Sequence, residues 1–124
     1  MTIQEAIEWI DRRSPNRYTY QEKVRWLSNL EWAVKVELID THEWDAAPEF
    51  DGYDAGTSPE TEMLIPKPYD DVYLYWLESQ VDWGNGEMSR YENSRAAFDR
   101  RWGDYRSYVN RTQTPNGRNW QYFC

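Results

Sequence analysis

The sequence predicts an all-α fold: about four helices in two pairs, joined by a long irregular loop and followed by an extended C-terminal tail. Three observations predict it. Apolar residues recur at spacings of three and four over four stretches, the period of a helix with one buried face. Thr2 with Glu5 and Thr19 with Glu22 both have the spacing of a capping box, in which two side chains satisfy the unpaired amides of a helix start. Clusters of Pro, Gly and Asn fall between the stretches and punctuate them. At 124 residues the chain makes one domain with a single core. We place that domain at residues 1–115 and the tail at 116–124.

The first helix is predicted over residues 2–13, with Ile3, Ala6, Ile7 and Ile10 on one face, and Ser14-Pro15-Asn16 ends it. The second is predicted over 20–42. Its stripe is Tyr20, Val24, Leu27, Ala33 or Val34, and Leu38, while Trp26, Trp32 and Val36 lie off the centre. A helix apolar on more than one face suits a central position or a partner chain behind it. Residues 43–67 lose the period, broken by Pro48, Gly52, Gly56, Pro59 and Pro66. A segment this long without regular structure is uncommon in a small domain and is usually functional or disordered. Phe50, Tyr53, Met63, Leu64 and Ile65 argue for an anchored loop, with room for a short β-like pair.

The third helix is predicted from Pro68 or Tyr69, since proline is tolerated in a first turn. Asp70 and Asp71 then favour the positive end of the helix dipole. Val72, Trp76 and Trp83, with Tyr73, Leu77, Gln80 and Val81 beside them, form a broad apolar band. Gly84-Asn85-Gly86 supplies residues that accept positive φ, so a tight turn there yields an antiparallel helical hairpin. The fourth helix is predicted over 87–112. Met88, Tyr91, Arg95, Phe98, Trp102, Tyr105 and Val109 make a heptad-like seam with one charged intruder. Thr114-Pro115-Asn116-Gly117 ends it.

The net charge is −8 and unevenly spread. Residues 1–42 hold 7 acids and 6 bases, residues 43–82 hold 11 acids against Lys67, and residues 83–124 hold 4 acids and 7 bases. Such asymmetry points to self-complementary association or a partner of mixed charge. It argues against sequence-independent DNA binding, which needs a basic face. The chain has 8 Trp, 10 Tyr and 3 Phe. These residues fill either an aromatic-heavy core or an interface, and Trp and Tyr are enriched in interface cores; we expect oligomerisation or docking. Cys124 is the single cysteine, so no internal disulfide is expected and a reducing cytosol suits the chain. Neither a signal peptide nor a membrane span is expected, since the start is polar by residue 5 and no apolar run is long enough.

No constellation for catalysis is legible, and we expect no enzyme, no metal and no cofactor. His42, followed by Glu43 and Asp45, could suggest a metal, but a lone helix-terminal His near the negative end of a dipole is the simpler account. Asp70 and Asp71 point about 100° apart on a helix, which does not make an acid pair. Gly84-x-Gly86 follows a helix and lacks the remaining phosphate-loop glycines. Arg100-Arg101 is a weak basic patch suited to salt bridges with an acidic neighbour.

Several stretches, in order, resemble the small head–tail connector (adaptor) proteins of long-tailed bacteriophages. They are TIQEAIEWIDRRSPNRYTYQEKVRWLSNLE (2–31), IDTHE (39–43), the Phe-Asp-Gly-Tyr loop (50–53), ETEMLIPKPYDDVYLYWLESQVDWGNGEMSRYENS (60–94) and FDRRWGDYRSYVNRTQTP (98–115). The Pro-Tyr-Asp to Asn-Gly-Glu stretch is the most specific, and residues 116–124 match no pattern of the family. The resemblance implies a helical fold with a long loop between the second and third helices. It implies a ring, usually dodecameric, beneath the portal protein at the phage neck, in a virion assembled in the bacterial cytoplasm. That ring extends the DNA channel and offers a platform to a stopper or tail-completion protein. The family carries no catalytic residues.

On this basis the acids Glu43, Asp45, Glu49, Asp51, Asp54, Glu60 and Glu62 are expected to face the channel or the next ring, or else to form a solvated face. Trp120, Tyr122 and Phe123 of the tail are expected to dock on the portal. Trp32, Tyr75, Trp83, Arg100 and Arg101 are candidates for contacts between subunits. Alternative roles are another neck or tail component, which should be richer in strands, or a small acidic binding or inhibitor protein.

Overall fold

Thr2 and Thr19 each open a helix by the same local device. In the computed structural model, which describes residues 1–117, both threonine hydroxyls accept from the backbone amide three residues on, and Glu5 and Glu22 reach back to the threonine amides. Helix α1 runs Ile3–Arg13 and α2 runs Tyr20–Val34. A single π-helical turn, Lys35–Ile39, extends α2, closed by the Asp40 amide donating to the Lys35 carbonyl at 2.9 Å. Strand β1 is His42–Glu43, α3 is Val72–Gly84, α4 is Met88–Thr112 and β2 is Thr114–Pro115. The chain is therefore mainly helical, with four α-helices among the described residues.

The helices pack as a ladder of antiparallel neighbours. From α2 and the turn before it to α3, Tyr18 meets Gly84, the Trp76 indole donates to the Trp26 carbonyl, and the Tyr73 hydroxyl donates to Glu31. From α3 to α4, Trp83 meets Tyr91, Asp82 accepts from Ser94, Trp76 meets Phe98, and Asp71 pairs with Arg101. Both series step in opposite chain directions, so one end of the bundle holds the two short turns, residues 14–19 and 85–87. The other end holds the long loop, the start of α1 and the exit of α4. Ile3, Ile10, Leu27, Val34, Val72, Leu77 and Val81 are sealed between them.

Four expectations change. The second helix was expected to reach residue 42, but it ends at Ile39, because Thr41 and His42 turn back onto its last carbonyls: the Thr41 hydroxyl donates to Glu37 and the His42 ring lies 2.8 Å from the Leu38 carbonyl. The third helix begins at Val72 and not at Pro68; the Lys67–Pro68 bond is cis, and residues 66–71 form turns. The seam of α4 buries Phe98, Tyr105 and Val109, but near the hairpin the buried residue is Ser94, while Met88 and Arg95 face outward. The reason is the buried Asp82 across the hairpin, which takes the Ser94 hydroxyl at 2.9 Å. The short β-like pair does not lie within the loop; β1 pairs antiparallel with β2 beyond α4, His42 opposite Pro115 and Glu43 opposite Thr114.

The loop 43–67 is tied to α1. Helix starts leave amides without intrahelical partners. Here the Ile3 amide donates to Thr61 and the Gln4 amide to Pro59, while Met63 donates back to Met1. Met63 and Ile65 are buried in the core.

Candidate interaction surfaces

The polar centre of the molecule is a carboxylate. Glu31 stands at a core position of α2, four residues after Leu27 and three before Val34, and is fully buried. One oxygen accepts from the Tyr53 hydroxyl at 2.7 Å and the Leu64 amide at 2.8 Å. The other takes a short bond from the Tyr73 hydroxyl, which itself accepts from the Ile65 amide at 2.8 Å. A buried charge is tolerated when hydrogen bonds replace its hydration. Four donors thus converge, directly or through Tyr73, from both limbs of the loop and from α3. Burial pushes the Glu31 carboxyl above its ordinary range, and the three donors restrain that shift. Burial and the nearby Glu31 charge push both phenols upward as well. Tyr105 rises to about 12 for the same two reasons.

Glu31 was not singled out in the sequence, although a carboxylate inside an apolar stripe was a visible signal. Its arrangement is architectural. Each of the three direct partners is a donor from the protein's own fold.

His42 is a second polar tie. Its Nδ1 lies 2.8 Å from the Leu38 carbonyl and its Nε2 lies 2.9 Å from Asn110 Oδ1. The imidazole joins the end of α2 to the last turns of α4. Glu43 and Asp45 are exposed beside it, and no group of three or more His, Cys, Asp or Glu able to hold a metal occurs among the described residues.

The seven acids of the loop segment are all exposed. Asp54 is occupied locally, accepting from the Gly56 amide at 2.8 Å, and Glu62 lies 3.0 Å from the Met1 amine. Glu43, Asp45, Glu49, Asp51 and Glu60 make no ion pair among the described residues.

The candidate subunit contacts divide. Trp32 is 41 % exposed and Trp83 59 % exposed, large values for the largest apolar side chain. Trp32 continues an outward stripe of α2, with Arg25, Asn29 and Val36 at helical spacing, and Phe50 packs edge-on against it at 4.9 Å. Trp83 lies against Tyr91 with ring centres 5.1 Å apart and planes tilted by 59°, and Met88 is exposed at the start of α4. Tyr75 is half-buried and Arg100 is exposed. Arg101 is spent within the chain: Nε binds Asp71 at 2.8 Å, one terminal nitrogen binds Asp104 at 3.0 Å, and the other binds the Pro68 carbonyl at 2.8 Å. The docking candidates Trp120, Tyr122 and Phe123 lie outside the described residues.

A cleft of about 650 Å³ opens at the turn end, lined by residues 15–18, Glu22, Gly84 and Asn85. No helix among the described residues is long and apolar enough to cross a membrane. No protein-family model, curated protein or solved structure matches the chain.

Proposed function

We propose that this chain is a structural virion protein, a head–tail connector that forms a ring under the portal at the phage neck. The ring extends the DNA channel and bridges capsid to tail. The observation that carries the proposal is the ordered resemblance over residues 2–115, strongest from Pro68 to Glu87. The exposed Trp32 and Trp83 support it, because a closed ring of identical subunits needs two unlike adhesive faces on each. The exposed carboxylates of the loop support a surface facing the channel or the next component, where negative charge repels DNA phosphates during passage.

The tail, residues 116–124, is the proposed portal anchor through Trp120, Tyr122 and Phe123. The test is co-purification of the chain with the portal protein encoded in the same genome, with the full chain and with residues 1–115. The full chain should bind, and the truncated chain should keep its helical circular dichroism and lose binding. A full chain that never binds portal and is missing from purified virions overturns the connector role. Binding that survives truncation overturns the tail's part in it.

A further inference from the structure

One carboxylate of the α3–α4 hairpin is short of partners. Asp82 lies in the last turn of α3 and is 4 % exposed. Its Oδ2 accepts from the Ser94 hydroxyl at 2.9 Å. Among the described residues no donor reaches Oδ1 and no cation pairs with the carboxylate. A buried charge normally has an ion pair, a metal or several hydrogen bonds, and one neutral hydroxyl is less than that. Burial accordingly pushes the Asp82 carboxyl above its ordinary range; Glu78 and Glu87 add to the push, and Ser94 and Arg90 oppose it. The carboxylate lines a groove of about 340 Å³ together with Arg13, Ser14, Glu78, Arg90 and Asn93. Both arginines are committed, Arg13 to Glu78 at 2.6 Å and Arg90 to Glu87 at 2.8 Å. Those pairs cancel, and the charge left over in the groove is the one on Asp82. Arg12 and Glu92, the exposed charges next in sequence to the lining, also offset each other. Three further oxygens line the groove without a partner among the described residues: the second oxygen of Glu78, one turn back on α3, the Ser14 hydroxyl and the Asn93 side-chain carbonyl.

We propose that this groove binds a primary ammonium group, seated on Asp82 with Glu78 and Asn93 or Ser14 as further acceptors. An ammonium brings one positive charge to one uncompensated negative charge, and three N–H donors to a set of oxygen acceptors. A divalent metal fits less well. It needs several oxygen ligands, so it would take Glu78 from Arg13 and sit beside two guanidinium groups. The ammonium belongs either to a free alkyl amine or to a lysine side chain presented by another protein; the recognition chemistry is the same. The site does not depend on the connector role.

The test is proton–nitrogen NMR of the full chain at pH 7 and fixed ionic strength, titrated with butylammonium chloride. A parallel titration uses tetramethylammonium chloride, which carries the charge without N–H donors. Butylammonium should shift the amides around Ser14, Glu78, Asp82 and Asn93 with a roughly millimolar Kd, the range open to so small a ligand. Tetramethylammonium should not. Asp82→Asn keeps the shape and removes the charge, so binding should weaken about tenfold or more. Ser94→Ala keeps the charge and removes its internal donor. It should lower stability yet tighten binding, whereas a merely structural Asp82 would show the first effect alone. Glu78→Gln, nearer the surface, should weaken binding about threefold or more and serves as the test if Asp82→Asn fails to fold. Putrescine binding more tightly than Nα-acetyl-lysine methylamide assigns the groove to a free amine, and the reverse order assigns it to a protein lysine. Absence of these shifts, an equal response to tetramethylammonium, or binding indifferent to both Asp82→Asn and Glu78→Gln overturns the site.

Discussion

The Tyr18 hydroxyl lies over Gly84 so closely that a β-carbon on residue 84 would sit 1.6 Å from it and 2.5 Å from the ring carbon that bears it. Moving the ring aside would disturb its edge-on contact with Trp26 at 4.9 Å. The absent side chain at Gly84 is what lets the α1–α2 turn close on the α3–α4 turn, and the Asn85 side chain, its Nδ2 donating to the Pro15 carbonyl at 3.4 Å, bridges the same two turns.

Gly84→Ala is consequently expected to lower stability, against the usual rule for glycine in a helix. An exposed helical glycine gains about 0.5–1 kcal/mol on conversion to alanine. Here overpacking costs about 1–3 kcal/mol, so a net loss of roughly 1–2 kcal/mol is expected in urea unfolding. With Tyr18→Ala already in place, the same change should cost nothing or stabilise. An unchanged or raised midpoint for Gly84→Ala in the wild-type background would sink this account.

Glu31→Gln tests the buried carboxylate. The amide nitrogen must face either Tyr73 or the Tyr53–Leu64 pair, all donors, so at least one donor loses its acceptor. Hydrogen bonds to a charged group contribute about 1.5–3 kcal/mol each, and a loss of about 2 kcal/mol at pH 7 is expected. The pH dependence has a definite sign. Burial raises the folded-state pKa of Glu31 above its ordinary value of 4.5, so the folded protein binds the proton more readily than the unfolded chain. The Glu31 contribution to stability therefore falls as pH rises from 4.5 through its raised pKa, and is recovered on acidification through the same window. The gap between wild type and Glu31→Gln should widen from pH 7 towards 4.5. A gap that narrows steadily over that range contradicts the assignment.

Arg101 separates an internal role from an interfacial one. Its guanidinium holds Asp71, Asp104 and the Pro68 carbonyl and lies 5.5 Å above the Tyr69 ring. Arg101→Ala should lower stability by about 1–2 kcal/mol, and Arg101→Lys should recover only part of it, since an ammonium cannot reproduce the planar fork. Self-association measured where both proteins are fully folded should be unaffected. Full stability with lost association would return Arg101 to the subunit interface.

Parts of this architecture need only neighbours in the chain. The starts of α1 and α2 follow from threonine and glutamate three residues apart, and the α3–α4 hairpin from Gly84-Asn85-Gly86. A capping box closes within one turn, so its geometry is complete in a few residues. The starting point of α3 was less legible. Pro68 is compatible with a first helical turn, and the cis bond before it was not foreseeable from the residue alone.

By itself the sequence determined the mainly helical class, the helix starts written in local caps, the turns and the charge asymmetry. The tertiary structure decided which polar and aromatic groups are inside. Glu31 meets Tyr53, Leu64 and Tyr73 at separations of 22, 33 and 42 residues, and His42 meets Asn110 across 68. It also decided that Tyr73 is sealed in the core while Trp83, ten residues on along the same helix, is 59 % exposed. The physical reason is range. A cap or a turn is settled by sterics and hydrogen bonds over a few residues, whereas burial is settled by whichever elements the packed core brings alongside.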